Sequence, residues 1–261
     1  TSQSLAHSVV TIMWRPLFLL QLTQLLLGLA SGQIQPRIVG GTTTTLSAVG
    51  GFVVNLRYDG TFYCGGSLVT SSHVVTAAHC LKGYQASRIT VQGGVSKLSQ
   101  SGVVRRVARY FIPNGFSSSS LNWDVGVIRL QSALTGSGIT TIPLCQVQWN
   151  PGNYMRVSGW GTTRYGNSSP SNQLRTVRIQ LIRKKVCQRA YQGRDTLTAS
   201  TFCARTGGKD SCSGDSGGGV IFKNQLCGIV SWGLGCANAQ YPGVYTSVHR
   251  VRSFILRSIK K

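Results

Sequence analysis

The sequence predicts an all-β protein, and three observations support this. Among its 261 residues are 32 glycines, which suit tight turns. Valine, isoleucine and threonine, which favour strands, recur along the chain. Turn-forming pairs such as Asp59-Gly60, Asn114-Gly115 and Pro151-Gly152 separate the apolar stretches. With 41% hydrophobic residues, the chain can bury a full core as one large unit or as two domains of ordinary size.

The N-terminal segment has a different composition. The apolar run LFLLQLTQLLLGLA at residues 17–30 follows Arg15, and small residues suited to signal peptidase follow the run. It is shorter than the roughly 20 apolar residues that a membrane span needs. We therefore predict a signal peptide over residues 13–32 and secretion to the extracellular space, with residues 1–12 a non-native or untranslated extension. The alternative is a buried core helix.

The charges are very uneven. The chain has 27 Lys and Arg residues against five Asp and no Glu, a net charge of +22. Two of the five acids, Asp210 and Asp215, lie in the short glycine-rich stretch GKDSCSGDSGGG. An isolated acid in such a chain could be a surface residue, but two around a serine indicate a site.

The sequence motif GDSGG, which contains Ser216, is typical of a turn that presents a nucleophilic serine. A serine hydroxyl needs a neighbouring base and a group that orients the base. His79 in VVTAAHC and Asp124 in NWDVGVIRL can supply them. Each of these motifs alone is weak evidence for catalysis, since a lone histidine is more often structural and a lone aspartate is usually a turn residue. The other two histidines of the mature chain, His73 and His249, match no motif and are interpreted as structural.

Five further sequence motifs extend this pattern, and their order and spacing match those of a known family. Together they resemble the trypsin-like serine proteases of the chymotrypsin fold, over essentially all of residues 38–261. The words are IVGG at 38–41, CGGSL at 64–68, SGWG at 158–161, SWG at 231–233 and PGVY at 242–245.

The resemblance implies a fold of two packed six-stranded antiparallel barrels. The N-terminal barrel would cover about residues 38–145 and the C-terminal barrel about residues 146–246. A short C-terminal helix at 247–261 is predicted from the residues themselves, because Val248, Val251, Ile255 and Ile259 recur at helical spacing.

The resemblance also implies the catalytic roles. Ser216 would attack the scissile carbonyl, His79 would take and return the proton, and Asp124 would hold the imidazole in the required tautomer. The backbone N–H groups of Gly214 and Ser216 would form the oxyanion hole.

Substrate specificity follows from the same resemblance. Asp210 matches the base of the primary pocket in the trypsin branch, where a buried carboxylate favours an Arg or Lys side chain. Ser211 beside it adds a hydroxyl. The alternative for Asp210 is a surface turn acid. The remaining substrate-binding positions are Ser231, Trp232, Gly233 and Gly243, of which the glycines match the pocket walls.

Activation would require one cut. The word QIQPRIVGG predicts a propeptide at residues 33–37 that is released by cleavage between Arg37 and Ile38. In the resembled family, the new α-amino group pairs with the carboxylate at the position of Asp215. The two acids of the glycine-rich stretch are thus interpreted as one for the substrate and one for activation.

Export makes the eight cysteines candidates for disulfides. The resemblance implies the pairs Cys64–Cys80, Cys187–Cys203 and Cys212–Cys236. Cys145 and Cys227 remain, and the sequence leaves open whether they pair or stay buried as small apolar residues.

No cofactor or metal is expected. The loop at residues 92–103 has no carboxylate, whereas calcium-binding trypsins place Glu ligands there. Asn167, in a polar loop, is the single candidate for glycosylation.

The expected partners are protein or peptide substrates with Arg or Lys before the cut, and protein inhibitors are further candidates. We expect a monomer. The positive charge could bind polyanions, or it could be a solvated basic surface. No motif supports specific nucleic-acid binding. The alternative function is that of a catalytically idle homologue that binds a polyanion or a protein partner.

Overall fold

The computed structural model describes residues 41–162, 169–205, 214–235, 238 and 240–261. The predicted extension (1–12), signal peptide (13–32) and propeptide (33–37) lie outside the described residues.

The described residues form mainly short strands. These are β1 (Thr42–Thr43), β2 (Val53–Tyr58), β3 (Thr61–Thr70), β4 (His73–Thr76), β5 (Ile89–Gly93), β6 (Val103–Phe111), β7 (Gly126–Leu130), β8 (Tyr154–Gly159), β9 (Arg175–Leu181), β10 (Thr201–Arg205), β11 (Gly219–Phe222), β12 (Gln225–Trp232) and β13 (Gly243–Ser247). The helices are α1 (Leu46–Val49), α2 (Lys184–Ala190) and α3 (Val248–Ile259), with a 3-10 turn at Ala86–Arg88.

Strands β2 to β7 close into the first barrel, in the order β2-β3-β4-β7-β6-β5. Strands β8 to β13 close into the second, because β8 pairs with both β9 and β11. All these pairings are antiparallel. The predicted fold class, two six-stranded antiparallel barrels with a short C-terminal helix, is confirmed.

Alternation of side chains explains the barrel strands. In β9, Val177, Ile179 and Leu181 are buried, whereas Arg178 between them is exposed. Successive side chains of a strand point to opposite faces, so this alternation puts one face into the barrel core. The core of the first barrel continues without a break to Trp160 and Ile229, which ties the two barrels together.

Helix α3 carries the predicted apolar face. Val248, Val251 and Ile255 are fully buried. The fourth predicted position differs: Ser258 is buried and Ile259 only partly so. Ser258 lies three residues after Ile255 and seven after Val251, so it shares their face of the helix.

Three disulfides join described cysteines. Cys64–Cys80 and Cys187–Cys203 are the pairs that the resemblance implies. Cys145 also pairs with Cys227, which resolves the question that the sequence left open. The bridge between Leu144 and Leu226 brings these two cysteines side by side. Within the described ranges, no helix is long and apolar enough to cross a membrane.

Candidate active site

The segments that carry His79 and Asp124 meet at one end of the first barrel. Strand β4 ends three residues before His79, and β7 begins two residues after Asp124. These strands pair antiparallel, with Thr76 opposite Gly126, so the end of one lies beside the start of the other. The register therefore brings the imidazole and the carboxylate together.

The two side chains make a direct hydrogen bond. The Nδ1 atom of His79 lies 2.8 Å from Oδ2 of Asp124, and the backbone N–H of His79 donates to Oδ1 at 2.9 Å. Because an ionised carboxylate accepts only, Nδ1 carries the proton and Nε2 is left to accept one. The His79 side chain is 28% exposed and that of Asp124 is 0% exposed.

The second barrel completes the surroundings of Asp124. The Ser231 hydroxyl, from β12, donates to Oδ2 at 2.6 Å. The Thr246 hydroxyl, from β13, donates to the Asp124 backbone carbonyl at 2.9 Å. A buried carboxylate is costly unless hydrogen bonds satisfy it, and here donors from both barrels do so. Asp124 therefore lies at the junction of the two barrels.

The loop that contains Ser216 is attached to the same region. The N–H of Gly65, in β3, donates to the Ser216 carbonyl at 2.8 Å. Gly65 follows Cys64, whose disulfide partner Cys80 follows His79. The structure thus brings the serine and histidine segments together through one hydrogen bond and one disulfide.

Gly217 shows how closely these segments pack. Its φ is +77°, and a Cβ atom there would lie 2.1 Å from Oγ1 of Thr76 and 2.6 Å from the carbonyl oxygen of Gly65. The Thr76 hydroxyl already donates to that carbonyl at 2.8 Å. Only glycine fits, since it alone combines a positive φ with the absence of a side chain.

Asp215 lies in a separate pocket formed by the SGWG word. Its carboxylate is 2% exposed and accepts the Gly161 N–H at 2.9 Å. A Cβ on Gly159 would lie 2.3 Å from Oδ1 of Asp215, and one on Gly161 would lie 2.4 Å from its Oδ2. The two glycines therefore make the space that this carboxylate occupies.

The described part of the predicted substrate pocket lies where β12 and β13 run side by side. Trp232 is opposite Val244, and Gly233 and Gly243 flank this pair. Among the described residues, a Cβ on Gly233 would meet two backbone atoms, O of Gly235 and Cα of Gly243, each 3.8 Å away. These are ordinary van der Waals distances, so glycine at this position keeps the described part of the wall free of a side chain without being forced by a clash.

Several predicted site residues lie outside the described residues. They are Arg37, Ile38, Asn167, Asp210, Ser211, Cys212 and Cys236.

Sequence reasoning missed two contributors to the site. Thr246 follows the PGVY word directly, but its contact with Asp124 joins residues 122 positions apart. Thr76 belongs to the VVTAAHC word, yet its packing against Gly217 depends on the barrel junction. Ser231 was predicted for substrate binding, and the structure adds its hydrogen bond to Asp124.

Three side chains could suggest a metal site, because ligand atoms of Cys64, His79 and Cys80 lie within 4.8 Å of one another. The two sulfur atoms are bonded to each other in a disulfide and cannot act as thiolate ligands.

Comparison with known proteins identifies the family. The family model described as Trypsin matches residues 38–255. The chain belongs to the trypsin family. Seminase of Drosophila melanogaster is 42% identical over 228 residues, which cover 87% of this chain and 83% of seminase.

Other trypsin-family relatives agree. Trypsin delta of Drosophila melanogaster is 38% identical over 226 residues, which cover 86% of this chain and 89% of that protein. Trypsin beta of Drosophila erecta is 39% identical over 228 residues, which cover 87% of this chain and 90% of that protein. As a member of the trypsin family, the protein is a serine endopeptidase, a hydrolase that acts on proteins or peptides.

Proposed function

We propose that this endopeptidase is a secreted zymogen that, once activated, cleaves after Arg or Lys with His79, Asp124 and Ser216. The observation that carries the proposal is the hydrogen bond between His79 Nδ1 and the buried Asp124 carboxylate, at 2.8 Å, beside the Ser216 loop. A serine nucleophile needs an oriented base, and the hydrogen bond to Asp124 orients His79 for that role.

The chemistry is acyl transfer through a covalent intermediate. Oγ of Ser216 attacks the scissile carbonyl carbon, and its proton passes to Nε2 of His79. The backbone N–H groups of Gly214 and Ser216 stabilise the oxyanion, each contributing about 10²- to 10³-fold in rate. His79 then returns the proton to the leaving amine, which breaks the peptide bond. Water hydrolyses the Ser216 ester by the same steps in reverse.

Asp124 acts through His79. It holds the Nδ1–H tautomer and stabilises the imidazolium that forms when Nε2 accepts a proton. Its hydrogen bonds from Ser231 and from the His79 N–H satisfy the buried carboxylate oxygens and fix their orientation.

Specificity for Arg or Lys rests on Asp210, with Ser211 beside it in sequence. Support comes from the described pocket wall, where Gly233 and Gly243 carry no side chain that a long substrate side chain would have to pass. A long cationic side chain entering the pocket would need a carboxylate partner, because a charge buried alone is costly. Among the sequence words, Asp210 is the acid that matches such a position.

Activation by cleavage between Arg37 and Ile38 is supported by how the described chain begins. Thr43, in β1, pairs with Arg175, which also pairs with Gly159 beside the Asp215 carboxylate. The five residues from Ile38 to Thr42, fully extended, reach at most about 17 Å. An α-amino group at Ile38 is therefore within reach of Asp215, and burying the pair would order the adjacent Gly214 and Ser216.

Secretion is supported by the disulfides. Three described pairs are typical of an oxidising compartment and unusual in the cytosol. The apolar leader before the predicted propeptide agrees with export.

The experiment compares activated wild type with Asp210→Ser on a positional-scanning peptide library. Asp195→Ser is the matched control, since it removes an exposed carboxylate that lies outside the motifs of the predicted site. We expect Asp210→Ser to lose about 10²- to 10³-fold in kcat/KM after Arg and Lys, because the cation would be buried unpaired. Unchanged cleavage after Arg and Lys in Asp210→Ser would refute the pocket assignment.

A second comparison tests activation. Arg37→Gln is expected to stay uncut and inactive after limited treatment with a trypsin-type protease, while the wild type gains activity. Processed Asp215→Asn is expected to remain weak, since the new α-amino group has no carboxylate partner. Activation is contradicted if uncut Arg37→Gln hydrolyses an Arg-ended ester as fast as processed wild type.

The idle homologue is distinguished by the same assays. It would bind substrate-like peptides but leave them intact, and it would not react with a serine-directed phosphonate. Covalent labelling of the processed wild type contradicts that alternative.

A further inference from the structure

The fold gathers basic side chains that are dispersed in the sequence onto one face, beside helix α3. We call this the basic face. It consists of Arg109 and Arg129 from the first barrel, Lys184 from α2, Arg250 and Arg257 from α3, and Lys261 just after that helix.

One end of the basic face is held by backbone contacts. Arg109 and Arg129 lie directly opposite each other on β6 and β7. Both donate hydrogen bonds to the main-chain oxygen of Lys261. Like charges opposite each other in a sheet are destabilising, so the fold keeps this pair at a cost.

Helix α3 carries the middle of the basic face. Arg250 and Arg257 are both exposed and lie seven residues apart, which is two turns or about 10 Å along one side of the helix. Lys261 lies four residues after Arg257 and borders the same groove.

The other end is Lys184. Its ammonium donates to the carbonyl oxygens of Thr198 and Thr201. Burial, and then the nearby charge of Arg250, lower the pKa of Lys184. Thr201 lies opposite Thr246, two residues before α3, so these contacts place the Lys184 ammonium near the start of that helix.

No carboxylate neutralises the helix cations in the described part of the chain. The ion pairs found there are His79 with Asp124 and Arg88 with Asp59. Neither involves Lys184, Arg250 or Arg257. An exposed row of cations without anionic partners favours a multivalent anionic ligand over internal pairing.

A groove accompanies this row. It has a volume of about 690 Å³ and lies between α3 and residues 110–115. Phe254 and Trp123 contribute apolar surface, while Arg257 and Lys261 contribute charge. A ligand with both a carbon framework and repeated anionic groups matches this lining.

We propose that the basic face binds a sulfated polysaccharide, with its sulfate groups on Arg250, Arg257 and neighbouring cations. Arginine suits sulfate because its planar guanidinium offers paired donors to oxyanions. Single-stranded nucleic acid is less favoured, because it stacks its bases on exposed aromatic rings, whereas Trp123 and Phe254 in the groove are partly buried against the core. The exposed large aromatic in the described residues is Tyr154, on β8 rather than on this face.

The test uses the mature chain with Ser216→Ala, so that binding is measured without self-digestion and independently of the proposed catalysis. The variant pair is Arg250→Gln with Arg257→Gln. The control pair, Arg178→Gln with Lys223→Gln, removes the same charge from exposed positions on the second barrel. Each protein is applied to immobilised heparin, to a sulfopropyl resin and to immobilised polythymidine.

We expect the parent to elute from heparin at clearly higher salt than from the sulfopropyl resin. The basic-face variant should bind heparin at least tenfold more weakly at physiological salt. The slope of log affinity against log salt should become shallower by roughly one to two. Each contact that is lost removes about one counterion from those released on binding. The control should weaken binding less than threefold.

Three results would overturn the proposal. Equal weakening by both variant pairs would mean that only the general field of the protein acts. Elution from heparin at the same salt as from the sulfopropyl resin would mean ordinary ion exchange. Tighter retention on polythymidine than on heparin would assign the basic face to nucleic acid.

Discussion

Replacing Gly217 with alanine is expected to separate the Ser216 loop from the strand that leads to His79. The glycine has φ +77°, and a Cβ atom would lie 2.1 Å from Thr76 Oγ1 and 2.6 Å from the Gly65 carbonyl oxygen. Both distances are far below van der Waals contact, so the loop or the strand must move.

The expected magnitude has three parts. A left-handed conformation costs a non-glycine residue about 1 to 2 kcal/mol. Forcing extra volume into a packed interior costs about 1 to 3 kcal/mol. Displacing Thr76 also breaks its 2.8 Å hydrogen bond to Gly65, worth about 1 kcal/mol. We expect a total loss of about 3 to 6 kcal/mol in the free energy of unfolding.

Gly60→Ala is the matched control. Gly60 has φ +82°, but no atom of the residues that the structure describes lies within 4 Å of a Cβ built there. This control therefore has the conformational cost of about 1 to 2 kcal/mol without the clash. The difference between the two variants isolates the packing between the serine loop and the histidine strand.

The assay is urea unfolding of both variants in the Ser216→Ala background with disulfides intact, together with kcat/KM of the active forms. Gly217→Ala should be the less stable by roughly 2 kcal/mol or more and should lose activity that Gly60→Ala retains. Equal stability of the two variants would refute the close packing on which the site geometry rests.

Three further predictions concern other contacts. Ser231→Ala removes a 2.6 Å hydrogen bond to buried Asp124, and kcat/KM should fall about tenfold or more, since bonds to charged groups are worth about 1.5 to 3 kcal/mol. Burial, and then the charge of Arg129, lower the pKa of His73, so its contribution to stability is present above about pH 6.5 and is lost as pH falls through its folded pKa. His73→Gln should therefore flatten the fall in unfolding free energy below about pH 6.5, measured by urea titration. Replacing both cysteines of the Cys145–Cys227 pair with serine should cost about 4 kcal/mol of stability, because the disulfide joins positions 82 residues apart in sequence.

Each of these has a contrary outcome, and the Ser231 variant also has a matched control. Ser253→Ala, on the exposed side of α3, should leave kcat/KM unchanged; an equal loss in both serine variants would contradict the role given to Ser231. A pH profile of His73→Gln identical to that of the parent would contradict the buried neutral imidazole. Unfolding of the double serine variant at the parent's urea midpoint would contradict a stabilising disulfide.

Local patterns predicted local structure well. Glycine-containing turns and β-branched residues indicated strands, and the alternation in β9 follows from its sequence. The spacing of Val248, Val251 and Ile255 predicted α3. The closure of each barrel cannot be predicted from local patterns in this way. It pairs strands that are far apart in sequence, such as β2 with β5. That prediction came from the family resemblance and not from periodicity.

The candidate site also has a part that local sequence predicted and a part that it did not. The words around His79, Asp124 and Ser216 identified the candidates, because chemistry restricts which residue types can serve. The contacts of Thr246 and Ser231 with Asp124 cross from one barrel to the other, and no local signal encodes such a crossing. The pairing of Cys145 with Cys227 likewise needed the strands to be placed first.

The most direct test of the central claim is covalent labelling of the processed protein with a fluorophosphonate, followed by peptide mapping. We predict a single label on Ser216, formed rapidly in the wild type, and slowed by about 10³-fold or more in His79→Ala because the serine then lacks its base. Labelling at another residue, or equal labelling rates for wild type and His79→Ala, would contradict the assignment of His79 and Ser216 as base and nucleophile.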